Sequence, residues 1–229
     1  PLYIVHVSAK QAVAQVAAAR SRGQNVFAET CPQYLYLSLE ENLGAPGFEG
    51  DVAHSHGERT VFATDNSIYQ VAPQAILFPR HDVDVVRIAK LAGEPRFRAL
   101  KLAPRGGGTG TNGQSLTESV SVDFSRHMNA ILEVNVEEGW ARVQAGVVKD
   151  QLNAAIAKHR LFFAPELSTS NRATIGGMIA TDASGQGSVL YGKTRDHVVE
   201  LRAVLLDGTD WHSRPLTPEE LEAAKGRSD

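Results

Sequence analysis

Cysteine is nearly absent from this chain: Cys31 is the only one in 229 residues. A single thiol excludes an internal disulfide framework and suits a reducing compartment. Long apolar runs are missing as well, since nothing approaches the roughly 20 consecutive apolar residues that a membrane-spanning helix needs. No secretory leader is visible. Together these absences lead to the expectation of a cytoplasmic protein without a membrane span. Charge of one sign is lacking too. There are 23 basic and 26 acidic residues, a formal charge of −3, and no block of Lys and Arg that could neutralise several phosphates, so no nucleic-acid partner is expected. The chain opens on Pro1 rather than Met and ends on a charged, helical-looking stretch from Leu216 to Asp229, which reads as a fragment. At 42% hydrophobic residues, one sizeable core or two small ones can form.

What is present falls into two parts. Leu2 to Ser8 is a β-branched and aromatic run, Ala9 to Arg22 repeats apolar residues at Ala12, Val13, Val16 and Ala19, and Asn25 to Ala28 is apolar again. That order predicts strand, helix and strand with parallel pairing, and Gly23 sits where a helix C-cap glycine belongs. Residues 42–57, NLGAPGFEGDVAHSHG, have no sustained periodicity and predict a connector, with the join of the two parts near Gly50. Beyond it, Ala75 to Pro79 predicts a strand, Asp82 to Ala92 a helix capped by Asp82, and Ala99 to Ala103 a strand running into a glycine loop. Ser119 to Phe124, Ile131 to Asn135 and Ala141 to Ala145 alternate as antiparallel strands do, and Val147 to Lys158 has the spacing of an amphipathic helix.

Pro104 to Ser115 reads PRGGGTGTNGQS. Its glycines let backbone N–H groups turn inward, and Thr109 and Thr111 add hydroxyl donors, a nest that suits a pyrophosphate. Gly108, Gly110 and Gly113 also spell a formal G-x-G-x-x-G. A Rossmann unit is not expected, because SLTESVSVDF follows with a strand pattern and Asp123 comes too soon for the acidic residue roughly 20 positions on that binds ribose. Flanked by Gly106, Gly107 and Gly110, Gly108 is expected to have no side chain packed against it and to lie closest to the phosphates. A second region, Glu166 to Gly192, spends Gly, Ser, Thr and Asn beside Ile175, Met178 and Ile179, as chain does where something must lie against the backbone.

The order of a βαβ unit, PRGGGTGTNG, VQAGVVKDQL, FFAPELSTSNRATIGGMIATDASG and YGKTRDHV, from Glu58 to Thr209, resembles the FAD-linked oxidases of the vanillyl-alcohol oxidase and p-cresol methylhydroxylase fold. The nearest branch is the D-2-hydroxyglutarate or D-lactate dehydrogenase-like group. The resemblance implies an α+β fold of two subdomains that grip FAD, incomplete at the C-terminus. It gives the pyrophosphate to the backbone of Arg105, Gly106, Gly107, Gly108, Thr109, Gly110 and Thr111. Further FAD contacts would come from Thr174, Ile175, Gly176, Gly177, Ser184 and Gly185, with Pro165 and Gly192 shaping the pocket edges. It also implies hydride transfer from a small D-2-hydroxy acid to the flavin. A separate cap domain further along the chain would bring that substrate, with basic residues for its carboxylate and a His-rich metal site. The catalytic residues stay unknown, since no residue of this chain can be assigned as the base. The side chains of Arg105 and Arg172 could approach the phosphates or flavin but read more simply as surface ion-pair partners, and His127, His197 and His212 as satisfied or solvated side chains.

PLYIVHVSAKQAV and FAETCPQYLYLSLEENLGAPGFEG resemble the dihydropyrimidinase and hydantoinase branch of the cyclic amidohydrolases, a βαβ fragment of their barrel. His6 matches a zinc-ligand position of that family, but its partners are lacking, so no metal is expected. His54-Ser55-His56 lies after the His6 strand, in the wrong order for the family's H-x-H, and Cys31 reads as a packed residue before Pro32. The expected division is residues 1–50 as this fragment and 51–229 as a partial FAD-binding domain. The alternatives are a zinc amidohydrolase fragment, or a hybrid whose parts share no function.

Overall fold

The computed structural model describes residues 2–4, 10–28, 51–53, 55–97 and 99–226. They form two compact units, the first of Pro1–Arg80 and Leu100–Met128, the second of His81–Ala99 and Asn129–Asp229. In the first unit, β1 (Leu2–Ile4) and β2 (Val26–Ala28) pair in parallel on either side of helix α1 (Lys10–Ser21), in the expected βαβ order. Gly23 takes φ +77 just past the helix, a conformation glycine adopts without a Cβ penalty. Among the described side chains of α1 none is buried, and Val13 is 56% exposed. His6, Cys31 and His54 lie outside the described residues, as does most of the expected connector.

Where that connector is described, it is regular structure. Strand β3 (Asp51–Ala53) pairs antiparallel with β4 (Ala75–Phe78), and helix α2 (His56–Val61) begins on Ser55. Ser55 Oγ accepts from Glu58 N at 3.3 Å while the Glu58 carboxylate accepts from Ser55 N at 3.4 Å. This capping box satisfies two donors that a helix start leaves over, and it was hidden in a stretch too short to show periodicity.

The sheet of this unit has the order β3, β4, β6, β5, where β5 is Leu102–Arg105 and β6 is Val120–Asp123. Strand β6 runs parallel to both neighbours, not antiparallel as its alternation suggested. All four of its residues are buried, so Ser121 and Asp123 do not mark a solvent face; a central parallel strand is covered on both sides. Strand β5 starts at Leu102 rather than Ala99 and takes in Arg105, which becomes a strand-end residue instead of a loop residue. Ile76, Phe78 and Ala53 form the core with Phe62, whose ring meets Phe78 edge-on at 5.6 Å. Burying Ile76 and Phe78 contributes about 2–3 kcal/mol each.

In the second unit, helix α3 (Asp82–Gly93) is capped by His81, whose backbone N–H donates to Asp84 Oδ2 at 3.1 Å. Asp82, the expected cap, is instead the first helical residue. Strands β7 (Ile131–Asn135) and β8 (Trp140–Val143) make the expected antiparallel hairpin, turning at Gly139 with φ +73. Helix α4 (Lys149–Ile156) and helix α5 (Ile175–Ala180) supply Leu152, Ile156, Ile175 and Met178 to a core completed by Val147 and Ala173, and the hairpin lays Ile131 and Val143 against it. The short helix α6 (Ser188–Tyr191), the antiparallel pair β9 (Leu201–Val204) and β10 (Asp210–Ser213), and helix α7 (Pro218–Lys225) follow. No helix among the described residues is long and apolar enough to cross a membrane.

Candidate functional site

The glycine loop leaves the end of β5, and Arg105 turns its side chain back beneath it. Arg105 Nη2 donates to Thr64 O at 2.7 Å, its guanidinium lies 5.1 Å from the Phe62 ring centre, and Nη1 is buried with no hydrogen-bond partner among the described residues. Burial pushes the Arg105 pKa down, opposed by the charges of Asp123 and Asp65. Burial likewise pushes the Asp123 carboxyl up, opposed by bonds from Ser125 and the Arg126 N–H.

Gly108 does have a side-chain neighbour, contrary to expectation. A Cβ built there would come within 2.5 Å of Arg105 Nη2, and the residue holds φ +61. The requirement for glycine at this position is conformational and steric at once. At Gly110 an added Cβ would fall within the Gln114 amide. Backbone N–H groups from Gly107 to Thr111 have no acceptor among the described residues. Gly106, Thr109 and Gly110 are half-buried, while Gly107 and Thr111 are exposed.

One set of residues around this loop went unread in the sequence. Asn66 N donates to Gly108 O at 3.0 Å, Ser115 Oγ donates to Asp65 Oδ2 at 2.9 Å, and the Tyr69 ring sits where a Cβ on Gly113 would point. The run Thr64-Asp65-Asn66-Ser67 carried a signal, since Asp, Asn and Ser bond neighbouring backbone and favour turns.

In the second unit, residues 145–149 run alongside 173–176. Ile175 N donates to Val147 O at 2.8 Å, Gly176 N to Ala145 O at 2.9 Å and Lys149 N to Ala173 O at 3.0 Å. The amides of Ile175 and Gly176 are therefore spent within the unit, and a Cβ on Gly176 would meet Ala145 at 2.7 Å. Thr174, Ile175 and Pro165 are buried. Gly185 packs against the chain at Glu166, whose carbonyl oxygen would lie 1.9 Å from an added Cβ, and Gly185 N donates to Ser188 Oγ. Gly192 holds φ +81 beside Asp196. Gly177, Ser184 and Gly185 are exposed, and Gly177 N has no acceptor among the described residues.

The three histidines singled out in the sequence have ordinary partners. His127 Nε2 is 2.6 Å from Asp51 Oδ2, His197 Nε2 is 2.8 Å from Tyr191 O, and His212 Nε2 is 3.3 Å from Glu200 Oε2. Arg172 is exposed. Among the described residues no group of three or more His, Cys, Asp or Glu could hold a metal ion.

A mixed α+β scaffold carrying a glycine loop with free amide donors, set over a half-buried guanidinium with an unused N–H, defines a binder of a pyrophosphate-bearing cofactor. The chain belongs to the FAD binding domain family, whose model matches residues 73–213. FAD is its cofactor, and the residues fit it: the free donors of the loop complement anionic phosphates. A D-2-hydroxyglutarate dehydrogenase of Pseudomonas putida is 64% identical over 199 residues, covering 86% of this chain and 20% of its own length. The enzyme of that name from Escherichia coli is 57% identical over 194 residues, covering 85% of this chain and 19% of its own length. The chain thus spans about a fifth of the length of the curated relatives it matches. Residues 51–229 number 179, so a match of 86% also takes in residues ahead of Asp51. A solved alkyldihydroxyacetonephosphate synthase superposes with a TM-score of 0.65 at 24% identity, covering 81% of this chain and 37% of that one. The fold is the α+β FAD-binding fold of the p-cresol methylhydroxylase type.

Proposed function

We propose that this chain is the FAD-holding part of a cytoplasmic oxidoreductase acting on a D-2-hydroxy acid such as D-2-hydroxyglutarate or D-lactate. The observation that carries this reading is the 64% identity, over 86% of the chain, to a dehydrogenase named for D-2-hydroxyglutarate. When bound, FAD supplies the hydride acceptor, and the protein supplies orientation and electrostatics. The backbone from Arg105 to Thr111 receives the pyrophosphate. Thr174, Ile175, Gly176, Gly177, Ser184 and Gly185 line the second contact region, with Pro165 and Gly192 at its edges. Within that set, exposure together with unspent donors favours Gly177 and Ser184 as direct contacts, whereas the spent amides and tight packing favour Gly176, and Gly185 despite its exposure, as supports.

No residue here is assigned as catalytic base, and recognition of the substrate carboxylate is left to a separate cap domain of the kind the resemblance implies. Only the βαβ segment at the front is read as a dihydropyrimidinase-like barrel fragment, in which His6 binds no zinc, with the join to the FAD-binding part moved ahead of Gly50 because the Pseudomonas putida match reaches there. The test is to incubate the purified chain with FAD, remove the excess and record the absorbance. Retained flavin bands at one FAD per chain are expected; a colourless protein overturns the reading. Supplied with D-2-hydroxyglutarate or D-lactate and an artificial electron acceptor, the loaded chain should show no steady turnover, because orientation of substrate against flavin contributes several kcal/mol of the barrier and nothing here provides it.

A further inference from the structure

Helix α2 is followed by a loop closed on itself. Thr64 and Gln70 form an antiparallel bridge, and Val71 N donates to Ala63 O at 2.8 Å. Between Ala63 and Val71 lie seven residues, Thr64 to Gln70, which reach the glycine loop at three points. Its start is held through Thr64 O, which accepts from Arg105 Nη2 at 2.7 Å. Its middle is held through Asn66 N, which donates to Gly108 O at 3.0 Å. Its end is held through Asp65 Oδ2, which accepts from Ser115 Oγ at 2.9 Å, fifty residues along the chain. The other Asp65 oxygen accepts from Ser67 N at 2.8 Å and fixes the turn that aims Asn66.

A glycine-rich segment has the most backbone freedom to lose on binding, and order imposed in advance lowers that cost. Resting on the FAD reading above, we propose that Asp65 is the positioning residue of the pyrophosphate loop, tying the loop's end to the turn that holds its middle and so ordering the amides of Gly107 to Thr111 before FAD arrives. Burial alone would raise the Asp65 carboxyl. The bonds from Ser67 and Ser115 and the Arg105 charge outweigh burial and hold it below the usual carboxylate range, so it is ionised at neutral pH. A carboxylate touching the phosphates directly would oppose binding through like charge. Its contribution is therefore geometric, and loss of the side chain should weaken rather than strengthen binding.

The test uses the full chain with FAD as probe, and reads flavin fluorescence titrations, melting of the FAD-free protein, and hydrogen exchange of the amides of residues 106–113. Asp65→Ala should weaken FAD affinity roughly tenfold, the scale of one or two lost bonds to a charged group, while leaving the FAD-free melting temperature close to wild type and speeding exchange across the loop. Asp65→Asn, which keeps an acceptor for Ser67 N and can bond the Ser115 hydroxyl, should recover most of the affinity. Ser115→Ala should reproduce the loss in milder form. Unchanged affinity and exchange in Asp65→Ala, or a fall in melting temperature that accounts for the lost affinity, overturns the proposal. If the wild-type chain binds no FAD, the functional reading fails, and the exchange data still decide whether Asp65 orders the loop.

Discussion

Glycine does two different jobs in the two glycine-bearing regions, and only the coordinates separate them. At Gly108 a branched side chain would have to adopt a left-handed backbone, at roughly 1–2 kcal/mol, and would press on the Arg105 guanidinium. Gly108→Val should therefore lower the melting temperature of the FAD-free chain and abolish the rise in melting temperature that added FAD gives the wild type. Differential scanning fluorimetry across an FAD series checks this, and normal affinity in the variant would remove the loop as the pyrophosphate site. At Gly185 the obstacle is the Glu166 backbone, which cannot move aside as a side chain can, so Gly185→Ala should cost about 1–3 kcal/mol with or without FAD. Gly177→Ala makes the useful contrast. That residue is exposed and helical, so stability should hold or rise by up to about 1 kcal/mol, and any drop in FAD affinity reports contact. The clusters of glycine were plain in the sequence. Which glycines pack was not, because Ala145 and Glu166 lie far along the chain from Gly176 and Gly185.

At the scale of elements, the strand and helix patterns of residues 75–158 were mostly legible, since long amphipathic spacing and the hairpin alternation are local. Strand β6 was not. Its Ser-Val alternation matches a half-exposed antiparallel strand, and only the flanking pairs with β4 and β5 show why Ser121 and Asp123 are buried. Asp82 shows a related failure: a good cap residue is drawn off by Arg202, which bonds both Asp82 and Asp210 and ties helix α3 to β9 and β10. Bonds from Arg202 hold both carboxyls below their usual range. The stability they add is therefore present above the unfolded carboxylate pKa of about 4 and is lost as pH falls through the lowered values. Arg202→Ala should melt lower than wild type at pH 7, with the gap closing below pH 4 and shrinking in high salt because the groups are half-exposed. A gap independent of pH would assign the effect to lost packing of the arginine stem.

For the whole molecule, the βαβ segment at the front is the part with least to hold it. A lone unit of that size leaves an apolar face uncovered, and none of the described side chains of α1 is buried. Deleting Pro1 to Ala28 should leave the melting temperature unchanged or higher, whereas a clear drop would show that the segment contributes to a core. The FAD-binding family was readable because its loops are long and specific. The elements just ahead of it, β3 and α2, were not legible, because they arise from stretches too short to carry a pattern.

The sheet order also sets a timetable for synthesis. Strands β4 and β5 are neighbours in the chain, yet each hydrogen-bonds to β6 and not to the other. As the chain emerges from the ribosome, β5 and the glycine loop behind it have no partner strand until Val120 to Asp123 follows them out, so the cofactor cradle cannot set before its own downstream neighbour is made. A nascent chain halted ahead of Val120 should leave that loop open to protease, and one released past Met128 should protect it.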